Sequence, residues 1–179
     1  MRIRWAVALV LCATAAAAAE RDEAFGARGR VLVSGAVSLT NVSSSASGSS
    51  SLTTLALAPS VQGFVAPGVA VGLQLQLAYL TGSGQSATAF SFLPSIGYCV
   101  EVGHDTCLLP QFQAGVQLID FGPVTSTAFV VGGQIPLLFR PAPGFFVGFG
   151  PSLLADVSRS NSNGKLLTFG LQSTLGGVF

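Results

Sequence analysis

The chain has 179 residues, half of them hydrophobic and only 8% charged, with 22 glycines, 9 prolines and a formal net charge of +1. A soluble domain carries about 25% charged residues, so either much of this surface does not face water or Ser, Thr, Gln and Gly cover it. The Gly and Pro content argues against a helical protein, and the near-zero charge gives no electrostatic case for nucleic acid as a partner.

The first segment reads as a signal for export. In "MRIRWAVALVLCATAAAAAE", Arg2 and Arg4 precede an apolar run from Trp5 and an alanine run that meets Glu20. This is the pattern of a secretory signal peptide over 1–19, with cleavage after Ala19. Its Leu/Val-rich part is too short to span a bilayer. Cys12 follows Leu11, not the small residue a lipoprotein site requires. Residues 20–29 are expected to be a short periplasmic tail. Two cysteines remain, Cys99 and Cys107 in "CVEVGHDTC". In an oxidising compartment a disulfide between them is the default.

From residue 30 onward, apolar side chains recur at every second position, the period of a strand. In "RVLVSGAVSLT" Val31, Val33, Val37 and Leu39 share a face. "TLALAPSVQ" follows with Leu55, Leu57 and Val61. "VAVGLQLQLAYL" sets Val69, Val71, Leu73, Leu75, Leu77 and Tyr79 against Gln74 and Gln76. "FSFLPSIGY" gives Phe90, Phe92, Ile96 and Tyr98. "LLPQFQAGVQLI" sets Leu108, Phe112, Val116 and Leu118 against Gln111, Gln113 and Gln117. "AFVVGGQIPLLF" sets Phe129, Val131, Ile135, Leu137 and Phe139 against Gln134. "FFVGFGPSLLA" gives Phe145, Val147, Phe149 and Leu153. "LLTFGLQSTLGGVF" sets Leu167, Phe169, Leu171, Leu175 and Phe179 against Gln172. That makes eight strands. The polar connections "NVSSSASGSSS", "TGSGQS", "DFGPVTS" and "DVSRSNSNGK" alternate with the shorter turns "GFVAPG", "VEVGHDT" and "RPAPG". Polar loops therefore gather at one end and turns at the other, the layout of an outer-membrane barrel.

A soluble sandwich or barrel also alternates. Here the second face carries Gln, Ser, Thr, Gly and Ala with almost no charge. A water-facing sheet uses Lys and Glu there. Small polar residues suit the crowded interior of an eight-stranded barrel. The aromatics fall at two heights, with Tyr98, Phe139, Phe145 and Phe179 near the turn end and Tyr79 and Phe90 near the loop end. That is the pattern of the girdles at membrane interfaces. The expected architecture is an all-β, eight-stranded antiparallel up-and-down transmembrane β-barrel over 30–179. Pro59, Pro94, Pro110, Pro136 and Pro151 lie within strands and each removes a ladder donor. Four fall toward the turn end, where bulges are tolerated. Pro151 lies higher and has no such explanation from sequence.

The sequence resembles the small outer-membrane β-barrel family, of the OmpA type and the opacity-porin-like type, over the whole mature chain. The phrases that carry the likeness are "APSVQGFVAPGVAVG" and, one hairpin later, "LPSIGYCVEVG". The family includes structural barrels, adhesins, small pores and a few lipid-modifying enzymes. The resemblance implies a bacterial outer-membrane protein, exported by the general secretory route and monomeric. It also implies contact with outer-membrane lipid and with the barrel-assembly machinery. The end of the chain resembles the assembly signal of such proteins, through Phe169, Leu171, Leu175 and Phe179, although Ser173 and Gly177 depart from it.

The column Gln62, Gln74, Gln76, Gln111, Gln113, Gln117, Gln134 and Gln172 is expected to face the lumen, as an uncharged filling or as a polar path for solutes. His104 and Asp105 read as a solvated turn, because a metal site needs three or four ligands and His104 is the only histidine. Lipid-acting barrels resemble hydrolases with a His at the outer rim, and His104 lies at the opposite rim. Arg140 has no obvious acidic partner from sequence. The expected role is non-enzymatic, without cofactor or metal: a structural or surface-interacting barrel. A narrow pore for small solutes is the alternative, and an outer-membrane lipid-modifying enzyme a weaker one.

Overall fold

The computed structural model describes residues 24–44, 52–82, 85–120, 122, 125–160 and 166–179. The expected signal peptide and parts of all four polar loops lie outside the described residues. Eleven strands follow in chain order: β1 (Val31–Ser44), β2 (Leu52–Ala66), β3 (Val69–Gly82), β4 (Gln85–Tyr98), β5 (Val100–Gly103), β6 (Thr106–Leu108), β7 (Gln111–Asp120), β8 (Thr125–Gln134), β9 (Leu137–Ala142), β10 (Phe145–Arg159) and β11 (Leu166–Val178). Every pairing is antiparallel, and β11 pairs with both β10 and β1, so the sheet closes on itself.

The eleven segments make an eight-strand ring. The alignment of β4 on β7, which reaches Gly97↔Gln111, resumes unchanged in β5 on β6 at Val100↔Leu108. Between them the Tyr98 N–H donates to the Pro110 carbonyl at 3.0 Å. Likewise Gln111↔Gln134 of β7 and β8 continues as Leu108↔Leu137 of β6 and β9, bridged by Leu109 N–H to Pro136 O at 2.9 Å. Pairs β4/β5, β6/β7 and β8/β9 are thus three long strands with short interruptions.

Several connections are shorter than their composition suggests. "VEVGHDT" is a hairpin arm with only His104 and Asp105 as its tip. β10 runs on to Arg159, into the expected loop "DVSRSNSNGK", and β1 runs on to Ser44. The ladder uses backbone groups, so polar side chains do not end a strand when a neighbour continues beside it.

The prolines sit where one of a strand's two ladders is interrupted. Pro59 pairs with Gly35 on one side, while β2 on β3 skips from Leu57↔Leu77 to Ser60↔Gln74. Pro94 pairs with Leu73, while β4 on β7 skips from Phe92↔Val116 to Ser95↔Gln113. In that gap a Cβ on Gly115 would collide with the Phe92 carbonyl, so only glycine lets the strands approach. Pro151 follows the same rule. It pairs with Leu171 on β11, and on the other side it faces the break between β8 and β9. Its carbonyl accepts from Ile135 N–H at 3.1 Å. In an extended residue N–H and C=O point the same way, so the donor it lacks would have aimed at that break.

Two turns repeat Ala-Pro-Gly, at Pro67–Gly68 and Pro143–Gly144, with glycine φ of 74° and 72°. Proline then glycine with positive φ is the type II pattern. Gly68 is doubly constrained, since a Cβ there would stand 2.9 Å from the Tyr98 ring.

The large apolar side chains point out of the ring. Leu57, Leu77, Phe112, Phe149, Phe169, Leu171 and Leu175 are all more than half exposed. The interior takes Ala36, Ala56, Ala58, Ala78, Ala87, Ala89 and Ala128 with the glutamines. This distribution inverts that of a soluble barrel. Among the described residues the largest apolar cluster lies at the turn end and joins Phe25, Leu32, Phe64, Cys99, Cys107, Leu109, Leu138, Phe146 and Val178. Phe25, in the segment 20–29 expected to be a tail, belongs to it. Gly29 N–H donates to Phe64 O at 2.8 Å and Gly68 N–H to Gly26 O at 2.9 Å. Phe25 is fully buried, edge-on to Phe146 at 5.9 Å between ring centroids.

Candidate functional site: the lumen

Strand alternation turns Gln62 on β2, Gln74 on β3, Gln111 and Gln113 on β7, and Gln134 on β8 inward, where all five are buried. Barrel closure brings them within reach of each other. Gln62 and Gln111 exchange amide bonds at 2.8 and 3.3 Å. Gln134 Nε2 donates to Gln111 Oε1 at 3.0 Å and to Gln74 Oε1 at 3.3 Å. Gln113 Nε2 donates to Gln74 Oε1 at 3.0 Å. The result is a septum of five amides across the lumen, uncharged and linked by hydrogen bonds. Gln117 stands outside it and donates to Ser91 Oγ at 3.2 Å. Gln76 and Gln172 are half-buried and line the space on the loop side.

Two small cavities flank the septum. The one on the loop side holds about 40 Å³ and is lined by Ser38, Thr54, Gln76 and Gln172 among others. The one on the turn side holds about 20 Å³, between the septum and Leu32, Leu109, Leu138 and Phe146. A single water needs about 10–15 Å³ measured in this way. The two spaces admit a few waters between them, and below the second the Phe25 cluster fills the mouth.

Cys99 and Cys107 are bridged, with Cα atoms 5.7 Å apart, and both sulfurs lie in the turn-end core. Tyr79, Phe90, Tyr98, Phe139, Phe145 and Phe179 all stand exposed on the outer face, as do Phe169, Leu171 and Leu175 of the last strand. The Phe179 N–H donates to Val31 O and Val31 N–H to Phe179 O, both at 2.9 Å, which closes β11 on β1 at the rim. Arg140, unpartnered in the sequence reading, meets Asp105. Its Nε and Nη2 reach Oδ1 at 3.0 and 2.9 Å, and its N–H donates to the Asp105 carbonyl at 2.9 Å. The pair fastens the tip of the β5–β6 hairpin to β9.

One charged pair lies on a strand although its sequence has the composition of a loop. Asp156 lies buried inside the loop end of the barrel, and Arg159 Nε donates to its Oδ2 at 2.7 Å. The register of β10 on β8 shifts between Asp156 and Ser158, a bulge that lets both side chains turn inward.

No protein-family model and no curated relative matches the sequence. Solved structures do match. Neisserial surface protein A, NspA, superposes with a TM-score of 0.61 at 11% identity, over 83% of this chain and 99% of that one. Ail, the attachment invasion locus protein of Yersinia pestis, superposes with a TM-score of 0.54 at 16% identity, over 85% and 99%. The fold is that of the small outer-membrane β-barrels.

Proposed function

We infer that the chain is an integral protein of the bacterial outer membrane, non-enzymatic and closed, with a structural or surface-interacting role. The observation that carries this reading is the inversion of polarity: a closed ring of exposed large apolar side chains around a lumen of amides and hydroxyls. Lipid is the solvent in which that arrangement is stable, and closure satisfies the backbone groups that an open sheet edge would leave bare there. The outward aromatics near both strand ends fit the interfacial girdles. In this orientation the turn end, with Phe25 and the disulfide, faces the periplasm and the polar loops face outward. The last strand, through Phe169, Leu171, Leu175 and Phe179, serves recognition by the barrel-assembly machinery. The septum and the turn-end core argue against conduction. His104 lies at the turn end, out of reach of any lipid-acting site at the outer rim.

Gel migration before and after boiling tests the membrane barrel. Unboiled protein should run faster, and identical migration of a detergent-free soluble protein would overturn the reading. Planar bilayers test closure, because discrete conductance steps from the purified chain would replace the closed barrel by the pore.

A further inference from the structure

The outer face carries large apolar side chains, and one stretch of it is hollow. The registers align Ile96, Phe112, Gly133, Leu153 and Phe169 in one row across β4, β7, β8, β10 and β11. Gly133, at the centre, offers no side chain. One step toward the turn end come Tyr98, Pro110, Ile135 and Pro151. There Tyr98 N–H donates to Pro110 O at 3.0 Å and Ile135 N–H to Pro151 O at 3.1 Å. The glycine and the compact prolines leave a groove, floored by Pro110, Gly133 and Pro151 and walled by Ile96, Phe112, Ile135, Leu153 and Phe169. The wall residues are all exposed. The chain cannot fill the groove at its centre, because a Cβ on Gly133 would stand 2.7 Å from the Gln111 carbonyl oxygen. We propose that this groove is a binding site for one acyl chain of a phospholipid in the periplasmic leaflet.

Size, shape and surroundings select that ligand. The groove offers about 720 Å³, within the range of about 300–1,000 Å³ typical of small-molecule sites. No charged side chain lines it, so it suits an apolar ligand. A row over five strands has four spacings of about 4.8 Å, so it runs for about 19 Å. The hydrocarbon of one leaflet is about 15 Å deep, so the length matches an extended chain. The groove is continuous with the apolar belt that meets lipid, and an unfilled hollow in hydrocarbon forfeits dispersion contacts along its whole lining. The lining reaches Val69 and Tyr98 at the turn end and stops at Phe169 on the other side. Tyr98 is one of the outward aromatics near the turn-end interface, so the chain enters there. Behind the floor, the side chains of Gln111 and Gln134 turn into the lumen and are bonded at 3.0 Å, so the groove is a seat on the wall. This inference deepens the membrane reading and rests on it.

The experiment reconstitutes the mature chain in vesicles of phosphatidylethanolamine and phosphatidylglycerol. Native mass spectrometry of the detergent-released barrel then counts retained lipids, and density in nanodiscs of the same lipids locates them. Pro151→Leu places bulk on the floor, Phe112→Ala removes a wall, and Val61→Leu adds bulk on β2, away from the groove. Gel migration before and after boiling checks that each variant has folded. The parent chain and Val61→Leu should each retain one phospholipid, with a chain in the groove. Pro151→Leu and Phe112→Ala should lower the lipid-bound fraction about tenfold. Equal retention by all four folded chains would overturn the proposal, as would a second barrel seated in the groove or a chain entering from the Phe169 end. A chain that does not insert sinks the membrane reading, whereas an inserted barrel that retains no phospholipid sinks this inference alone.

Discussion

Gln111 makes three side-chain bonds, one donated and two accepted, to partners 49 and 23 residues away in the chain. Its loss leaves Gln62 and Gln134 both short of a partner in a buried layer. Gln111→Ala should destabilise the barrel by about 2–3 kcal/mol, against about 1 kcal/mol for Gln117→Ala, which breaks one bond to a serine. Urea unfolding from lipid vesicles reads the difference, and equal losses would mean that the septum does not act as a unit. The sequence made the inward direction of each glutamine legible, because period two dictates it. It did not reveal which amides meet, since that depends on how far each strand is staggered on the next around the ring. The same limit hid Arg140 and Asp105, 35 residues apart. Asp156 was hidden differently: Ser and Asn around it have the composition of a loop, and only the neighbouring strand shows that the ladder continues.

Among the elements, the turn end holds the most tightly packed apolar side chains. The bridge from Cys99 to Cys107 closes a short loop, eight residues in separation. Chain-entropy arguments assign such a loop about 2.5 kcal/mol. Cys99→Ser with Cys107→Ser should lower stability by about that amount or less, because β5 and β6 are also paired through their backbones. Removing Phe179 takes away the two bonds that join β11 to Val31 and the last aromatic of the segment proposed for recognition in assembly. The amount of inserted barrel in the outer membrane should therefore fall further on deleting Phe179 than on removing both cysteines. Equal insertion of the two variants counts against a role for that residue in assembly. Intact mass under non-reducing conditions checks the bridge itself. The strands were readable because alternation ran through nearly every one. Residues 24–29 were not, because a lone phenylalanine among Gly, Ala and Arg has no period. An isolated large apolar residue in so polar a segment was the one available clue.

For the whole molecule, the question is which solvent the outer face meets. Leu57 lies near the middle of β2, outward and 51% exposed. In a soluble barrel Leu57→Arg would change stability by no more than about 0.5 kcal/mol. At the middle of a bilayer the same change costs about 2–4 kcal/mol. Unfolding of the vesicle-inserted barrel should show the larger loss, and a neutral result would place Leu57 in water. The sequence made this scale legible through what it lacks, since neither strand face carries the Lys and Glu that a water-facing sheet uses. The prolines looked like objections to that architecture. The ring accommodates them because a strand has two edges, and each proline turns its missing donor toward the edge where the ladder is already open.

The bonds between Val31 and Phe179 have a consequence for chain order. They place the start of β1 and the end of β11 side by side at one rim, so the ring itself has no first or last strand. A circular permutant could join those two ends through a short linker and open the chain at a loop between two other strands. It would keep the same neighbours all the way round while presenting a different strand to whatever inserts it. Comparing how well such a chain unfolds reversibly with how well it reaches the membrane would separate what holds the barrel closed from what delivers it there.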